Sequence, residues 1–166
     1  MSQPTPYIAV IAPFVIHWLY IDLCHKITFM EELTIDTDIN VMYVTATSFP
    51  LGVGGAFDKL QQSLPPADNR MLYGISNPEK GTIVYKAAAE EQFEGEGKQY
   101  GLETFTIKKG RYIAETITGW KKDESSIGKT FQKLLTDKRI DPNGSCIEQY
   151  INADDVVCMV RLLRHE

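Results

Sequence analysis

The spacing of apolar positions changes period several times along the chain, and each change marks an element. Between Glu31 and Thr47, Ile39, Val41, Tyr43 and Thr45 alternate with Asn40, Met42, Val44 and Ala46. A two-residue period rich in β-branched side chains predicts extended chain. Pro50 and Gly52 interrupt it, and Val53, Phe57, Leu60 and Leu64 then recur at the spacing of one helical face. Pro65-Pro66 stops that helix, because proline has no N–H to donate and restricts the residue before it. Two strands are predicted next, Arg70–Ser76 and Gly81–Ala89, joined by a turn at Asn77-Pro78-Glu79-Lys80. Glu90–Tyr100 is acidic and glycine-bearing, and reads as a linker without core positions.

The pattern then recurs. Thr104–Thr118 is strand-like, with Gly110 allowing a bulge. Asp123 and Ser125 offer capping oxygens to a helix whose stripe is Ile127, Phe131, Leu134 and Leu135, ending near Lys138. Asp141-Pro142-Asn143-Gly144 is a turn, and strands Ser145–Ile151 and Val156–Leu163 meet through Asn152-Ala153-Asp154-Asp155. The helix segment starting at Val53 aligns with the one starting at Ile127, about 74 residues later, sharing glycine, phenylalanine, lysine and leucine. The same offset sets Met71–Ser76 on Ser145–Tyr150 and Thr82–Tyr85 on Val156–Met159. With a slip of two residues, Leu33-Thr34-Ile35 meets Phe105-Thr106-Ile107. The expected fold is therefore α+β, built from duplicated β-α-β-β units at about 31–90 and 103–163. They would form one antiparallel-rich sheet, with two helices on one face and a ligand cleft on the other. Seams between such units are where small molecules bind. Gly54 and Gly128 fall at matching places in the first turn of each helix, which suggests either close backbone approach or a helix-start preference.

Parity along the strands then predicts which side chains share the open face. A four-residue loop in the last hairpin sets Ile151 opposite Val156, and so pairs Glu148 with Met159 and Tyr150 with Val157. The first hairpin, treated alike, pairs Gly74 with Ile83 and Leu72 with Tyr85. Glu148, Tyr150, Met159, Ile83, Tyr85 and Gly74 would line one face, while Ile147, Ile151, Val156, Cys158 and Val160 would lie under the helices. The small residues Gly74 and Ser76 opposite large ones would leave a cavity. A one-residue slip would exchange the faces. Glu148 is the residue with chemical promise, a carboxylate walled by Tyr150, Met159 and Tyr85, with Trp120 placed to cap it. The alternative is a solvated acid on a half-exposed strand. A desolvated carboxylate is stabilised by a cation: at about 4 Å and an effective dielectric near 20 the pair is worth roughly 4 kcal/mol before desolvation. Each aromatic face adds about 0.5–2 kcal/mol.

Composition narrows the function classes. Apolar content of 43 % and charged content of 23 % are those of an ordinary globular domain, expected to span 30–166. A net charge of −5 argues against nucleic acid as a direct partner, and Lys108, Lys109 and Arg111 read as a solvated cluster. Cys24, Cys146 and Cys158 cannot all pair within the chain, which fits a cytoplasmic protein better than a disulfide framework. Cys146 and Cys158 have no histidine near them in sequence and read as buried, not nucleophilic. His17, His25 and His165 form no metal-ligand pattern, and neither a metal nor a cofactor is expected. Residues 1–29 form an apolar extension whose core, Tyr7–Ile21, is shorter than the roughly 20 residues of a spanning helix and is interrupted by Pro13 and His17. It reads as an extra packed segment, a membrane-surface segment, or translation from an upstream start, with Met30 opening the domain.

The run Ile107-Lys108-Lys109-Gly110-Arg111-Tyr112-Ile113-Ala114, then Gly119-Trp120, Asp141-Pro142 and Ile147-Glu148-Gln149-Tyr150, resembles the signature of the gyrase-inhibitor-like (GyrI-like) effector-binding domains. The resemblance covers about residues 30–163, through motifs in the second half and through layout in the first. It departs at Lys108-Lys109, where the family usually has proline and a small residue, and in a closing strand without proline. The resemblance implies a duplicated fold with a cleft between the repeats and Glu148 at the position of a drug-contacting glutamate. The function expected is a stand-alone small-molecule-binding protein for hydrophobic, aromatic or cationic compounds, with Glu148, Tyr150, Met159, Tyr85, Trp120 and Tyr112 as ligand-binding residues. One alternative is a hydrolase of cyclopropane-type toxins, with Glu148 as general acid or base. Another is a protein-binding modulator of a topoisomerase.

Overall fold

A computed structural model describes residues 30–66 and 69–163. The apolar extension, with its three readings, lies outside the described residues. In chain order the elements are β1 (Glu31–Ile35), β2 (Ile39–Thr45), α1 (Val53–Ser63), β3 (Leu72–Glu79), β4 (Thr82–Glu90), α2 (Glu96–Gln99), β5 (Glu103–Ile107), β6 (Gly110–Thr118), α3 (Ser125–Leu134), β7 (Cys146–Tyr150) and β8 (Asp155–Arg161), with a 3₁₀ turn at Trp120–Lys122. The strands form a single antiparallel sheet in the order β1-β6-β8-β7-β3-β4-β2-β5. The architecture is α+β and mostly sheet. No helix among the described residues is long and apolar enough to cross a membrane.

Each long extended segment expected from the sequence is in fact two strands. The breaks fall at Asp36-Thr37-Asp38 and at Lys108-Lys109, and one side chain ties them together. Asp38 accepts the Lys109 N–H at 2.8 Å on one oxygen and the Lys108 ammonium at 3.1 Å on the other. β1 then pairs with β6 and β5 with β2, so each outermost strand joins the other half of the sheet.

Parity divides the core in two. Val41, Tyr73, Ile75, Ala88, Ile107, Tyr112, Ala114, Ile147 and Met159 form one cluster, and Leu33, Ile35 and Phe105 from the edge strands pack against it. Side chains from both edges meet there because the sheet curls around that face. The other face carries the helices. α1 lies over β2 and β4, burying Ala56 and Leu60 against Tyr85, Ala87 and Ala89. α3 lies over β6 and β8, burying Phe131 and Leu134 against Ile113, Cys158 and Val160. The central strands β7 and β3, paired with each other, run between the two helices.

Both hairpin registers differ from those expected, for identifiable reasons. In the first, the turn is Lys80-Gly81, both at positive φ (49° and 83°), a combination suited to a two-residue hairpin loop. The Asn77-Pro78 signal instead sits inside β3, opposite Val84 and Ile83. Gly74 therefore faces Ala87, not Ile83, a slip of four that preserves parity. In the last hairpin, Asn152 Oδ1 accepts the N–H groups of Asp154 and Asp155 at 2.8 and 2.9 Å and shortens the loop. Glu148 then pairs with Cys158 and Tyr150 with Val156. That slip is by one residue, so β8 presents the opposite set of side chains.

Two smaller expectations also change. A Cβ built on Gly54 or Gly128 meets nothing within 4 Å, so neither helix start is a close approach. The supposed linker holds α2 and a buried ion pair. The Arg70 guanidinium donates to both Glu96 oxygens at 2.9 and 3.0 Å, and the Gln92 N–H adds a bond at 2.7 Å. Such a carboxylate is tolerated in the interior because it is paired and hydrogen-bonded.

Candidate functional site

The β7–β3 pair runs between the strands covered by α1 and those covered by α3, and Glu148 is the middle residue of β7. Gly74 is directly opposite it on β3. A Cβ at Gly74 would fall inside the Tyr85 hydroxyl and 2.6 Å from Glu148 Oε2, so only glycine leaves room for both groups. Into that space Tyr85 reaches from β4 and donates to Glu148 Oε2 at 2.8 Å. Tyr150, two residues along β7 and on the same face, donates to the same oxygen at 2.5 Å. The two hydroxyl oxygens are 3.4 Å apart.

The carboxylate is 6 % exposed, and none of the ion pairs among the described residues includes it. Burial raises its pKa above the ordinary glutamate value, and the two tyrosine bonds oppose that shift without reversing it. Burial, with the neighbouring carboxylate second, also holds both tyrosines well above their usual pKa. Cys158, opposite Glu148, and Cys146, raised to about 11, are pushed up by burial first and keep their protons at neutral pH. Neither is an activated nucleophile.

Around the acid runs a chain of rings. Phe49 stacks on Tyr85 at 5.8 Å, Phe57 meets Tyr85 edge-on at 6.4 Å and Tyr150 at 5.6 Å, and Trp120 meets Tyr150 at 5.5 Å. Phe57 comes from α1 and Trp120 from the 3₁₀ turn that leads into α3, so both helical elements contribute to one wall.

The structure thus brings together four of the six side chains proposed from the sequence: Glu148, Tyr150, Tyr85 and Trp120. It separates two. The odd slip in the last hairpin turns Met159 to the opposite face, where it pairs with Ile147 in the curled core. Tyr112 lies in that same core, its hydroxyl donating to the Lys108 carbonyl at 2.5 Å. The same slip corrects the layout: Glu148 and its tyrosine partners lie on the helix-bearing face, not on the face opposite. Phe57 and Phe49 join the site without a sequence signal for it: Phe57 belongs to the helical stripe, and Phe49 stands outside any periodic pattern.

A cavity of about 260 Å³ lies elsewhere, between α2 and β5, lined by Asn40, Glu91, Glu94, Gly95, Lys98, Thr104, Phe105 and Thr106. It offers neither a buried acid nor a cluster of rings, so the chemistry points to Glu148 instead.

No protein-family model matches the chain, and no curated protein sequence matches it. Solved structures do resemble it. SAV2435 bound to tetraphenylphosphonium is 9 % identical, with a TM-score of 0.58 over 81 % of this chain and 94 % of that one. An integron cassette protein from the mobile metagenome of Vibrio cholerae is 14 % identical, with a TM-score of 0.53 over 81 % and 95 %. A hydrolase from Listeria innocua is 8 % identical, with a TM-score of 0.50 over 87 % and 97 %. What is shared is the fold.

Proposed function

We propose that this protein binds lipophilic organic cations in the groove between α1 and α3, with Glu148 as the charged anchor. The observation that carries this reading is a buried carboxylate with no cationic partner among the described residues, set in a ring of Tyr85, Tyr150, Phe57 and Trp120. Burying an acid in this way is costly unless something returns the energy. A delocalised cation returns it twice, through its charge and through the aromatic faces. That a protein of the same fold was solved with tetraphenylphosphonium supports this ligand class. The same reading makes the chain a GyrI-like effector-binding domain. The run strand, strand, helix, strand, strand, which occurs twice in chain order, supports a duplicated unit.

Titration with tetraphenylphosphonium or a rhodamine-type dye tests it. Wild type is expected to bind at least about tenfold more tightly than Glu148→Gln, a difference of about 1.4 kcal/mol. Equal affinities would remove Glu148 from the site.

A second reading has one observation in its favour. A carboxyl whose pKa is raised by burial can serve as a general acid at higher pH than an ordinary glutamate, and the Tyr85 and Tyr150 hydroxyls are placed to steady its ionised form. Turnover of a reactive cyclopropane that is lost in Glu148→Gln would establish hydrolysis; binding without turnover leaves the protein a receptor.

A further inference from the structure

The next step rests on the reading of the groove as a cation site and adds a second recognition element to it. Trp120 ends the chain of rings, its centroid 5.5 Å from that of Tyr150. Its backbone is held from the β7–β8 loop. The Trp120 N–H donates to the Asp154 carbonyl at 3.0 Å, and the Gly119 N–H donates to Asp155 Oδ1 at 3.2 Å. Gly119 itself has φ of 68°, the left-handed conformation that lets the chain turn sharply out of β6. These bonds hold the backbone that presents the indole to Tyr150.

Its Nε1–H is buried and finds no acceptor among the described residues. Buried indole N–H groups ordinarily have a partner, and a donor left without one loses its hydration for nothing. The hydroxyl hydrogen of neighbouring Tyr150 is already committed to Glu148. Phenylalanine here would keep an aromatic contact with Tyr150 without this cost. Packing alone has no use for the donor.

We propose that Trp120 is a specificity determinant, handing its indole N–H to a hydrogen-bond acceptor on the ligand. The groove would then favour lipophilic cations that carry a carbonyl, amide or ether oxygen over purely hydrocarbon ones. The cationic centre sits at Glu148, and the acceptor lies beyond Tyr150, one ring contact away. Entry of a ligand parts Trp120 from its neighbours, and only an acceptor-bearing ligand satisfies the donor thus uncovered.

Butyltriphenylphosphonium and its oxobutyl counterpart test this, since they match in charge and closely in shape and differ by one ketone. In wild type the ketone is expected to bind about fivefold tighter, the return from one neutral hydrogen bond. In Trp120→Phe the two should bind alike, and Glu148→Gln should weaken both while preserving their ratio. The same ratio in wild type and Trp120→Phe overturns the assignment and leaves the cation site standing. Failure of wild type to bind either compound overturns both readings. Nuclear magnetic resonance gives an independent measure on the unaltered chain. The Trp120 indole N–H signal, told apart from that of Trp18, is expected to move downfield with the ketone and not with the hydrocarbon. An equal shift with both compounds sinks the idea.

Discussion

The smallest residue in the site sets its geometry. Gly74 has no unusual backbone angle; what it supplies is space, since its missing side chain is where the Tyr85 hydroxyl and Glu148 Oε2 meet. Its backbone is paired on both sides, with Ala87 and with Glu148, so it cannot move aside. Gly74→Ala should therefore displace Tyr85 or Glu148 and cost about 1–3 kcal/mol, the usual range for forcing a group into a filled interior. Chemical denaturation would measure the loss. An alanine variant as stable as wild type would show that the two side chains have room to shift. At this scale the sequence was informative about identity. A lone acid beside Tyr150, with glycine in the matching strand, was legible from parity. Trp120 was legible from its place after Gly119. What could not be read was which aromatic from a helix would turn inward, because Phe57 satisfies the helical period whether it faces sheet or groove.

Periodicity located the larger elements well and the joins between them poorly. The helix starting at Val53 and the one in the second half, together with the strands carrying Tyr85 and Glu148, were legible from apolar spacing. The registers were not, because they are set by turn chemistry acting over two or three residues. Lys80 at positive φ and the side-chain bonds of Asn152 moved the first turn by two residues and shortened the second by one. The even change left Tyr85 and Gly74 on the same face as Glu148, whereas the odd one removed Met159. The buried Arg70–Glu96 pair was invisible for a related reason: charged residues in an acidic stretch read as solvated until a partner distant in sequence is brought to them. The helix starts yield a prediction of their own. Gly54 in α1 and Gly128 in α3 face open space and gain nothing from lacking a side chain. Gly54→Ala and Gly128→Ala should each raise stability by about 0.5–1 kcal/mol, through helix propensity and a less flexible unfolded chain. Thermal melts of the two variants check this, and a loss in either would mean that the added methyl group meets a neighbour after all.

For the whole molecule, the arrangement links ligand binding to proton release. Two helices on one face of a single sheet leave the β7–β3 seam between them, and one buried acid lies on that seam. Without a cation Glu148 holds its proton to higher pH than an ordinary glutamate, because burial disfavours the charge. A bound cation favours the ionised form and lowers that pKa. Across the interval between the two values, binding therefore expels a proton, and affinity rises with pH by at most about tenfold per unit for one group. Above the ligand-free pKa the acid is already ionised and the dependence flattens. The other titratable groups around the carboxyl are Tyr85, Tyr150, Cys146 and Cys158, all displaced upward, so they keep their protons at neutral pH and contribute no slope there. Calorimetry with tetraphenylphosphonium, whose charge does not titrate, should show affinity increasing from acid toward neutral pH in wild type. Heats in buffers of different ionisation enthalpy should report a fraction of a proton released. Glu148→Gln should bind weakly and with no such slope, because the amide has no proton to give up. A wild-type affinity that is flat or falls over that range would mean that the ligand never meets the carboxylate, even if it enters the same groove.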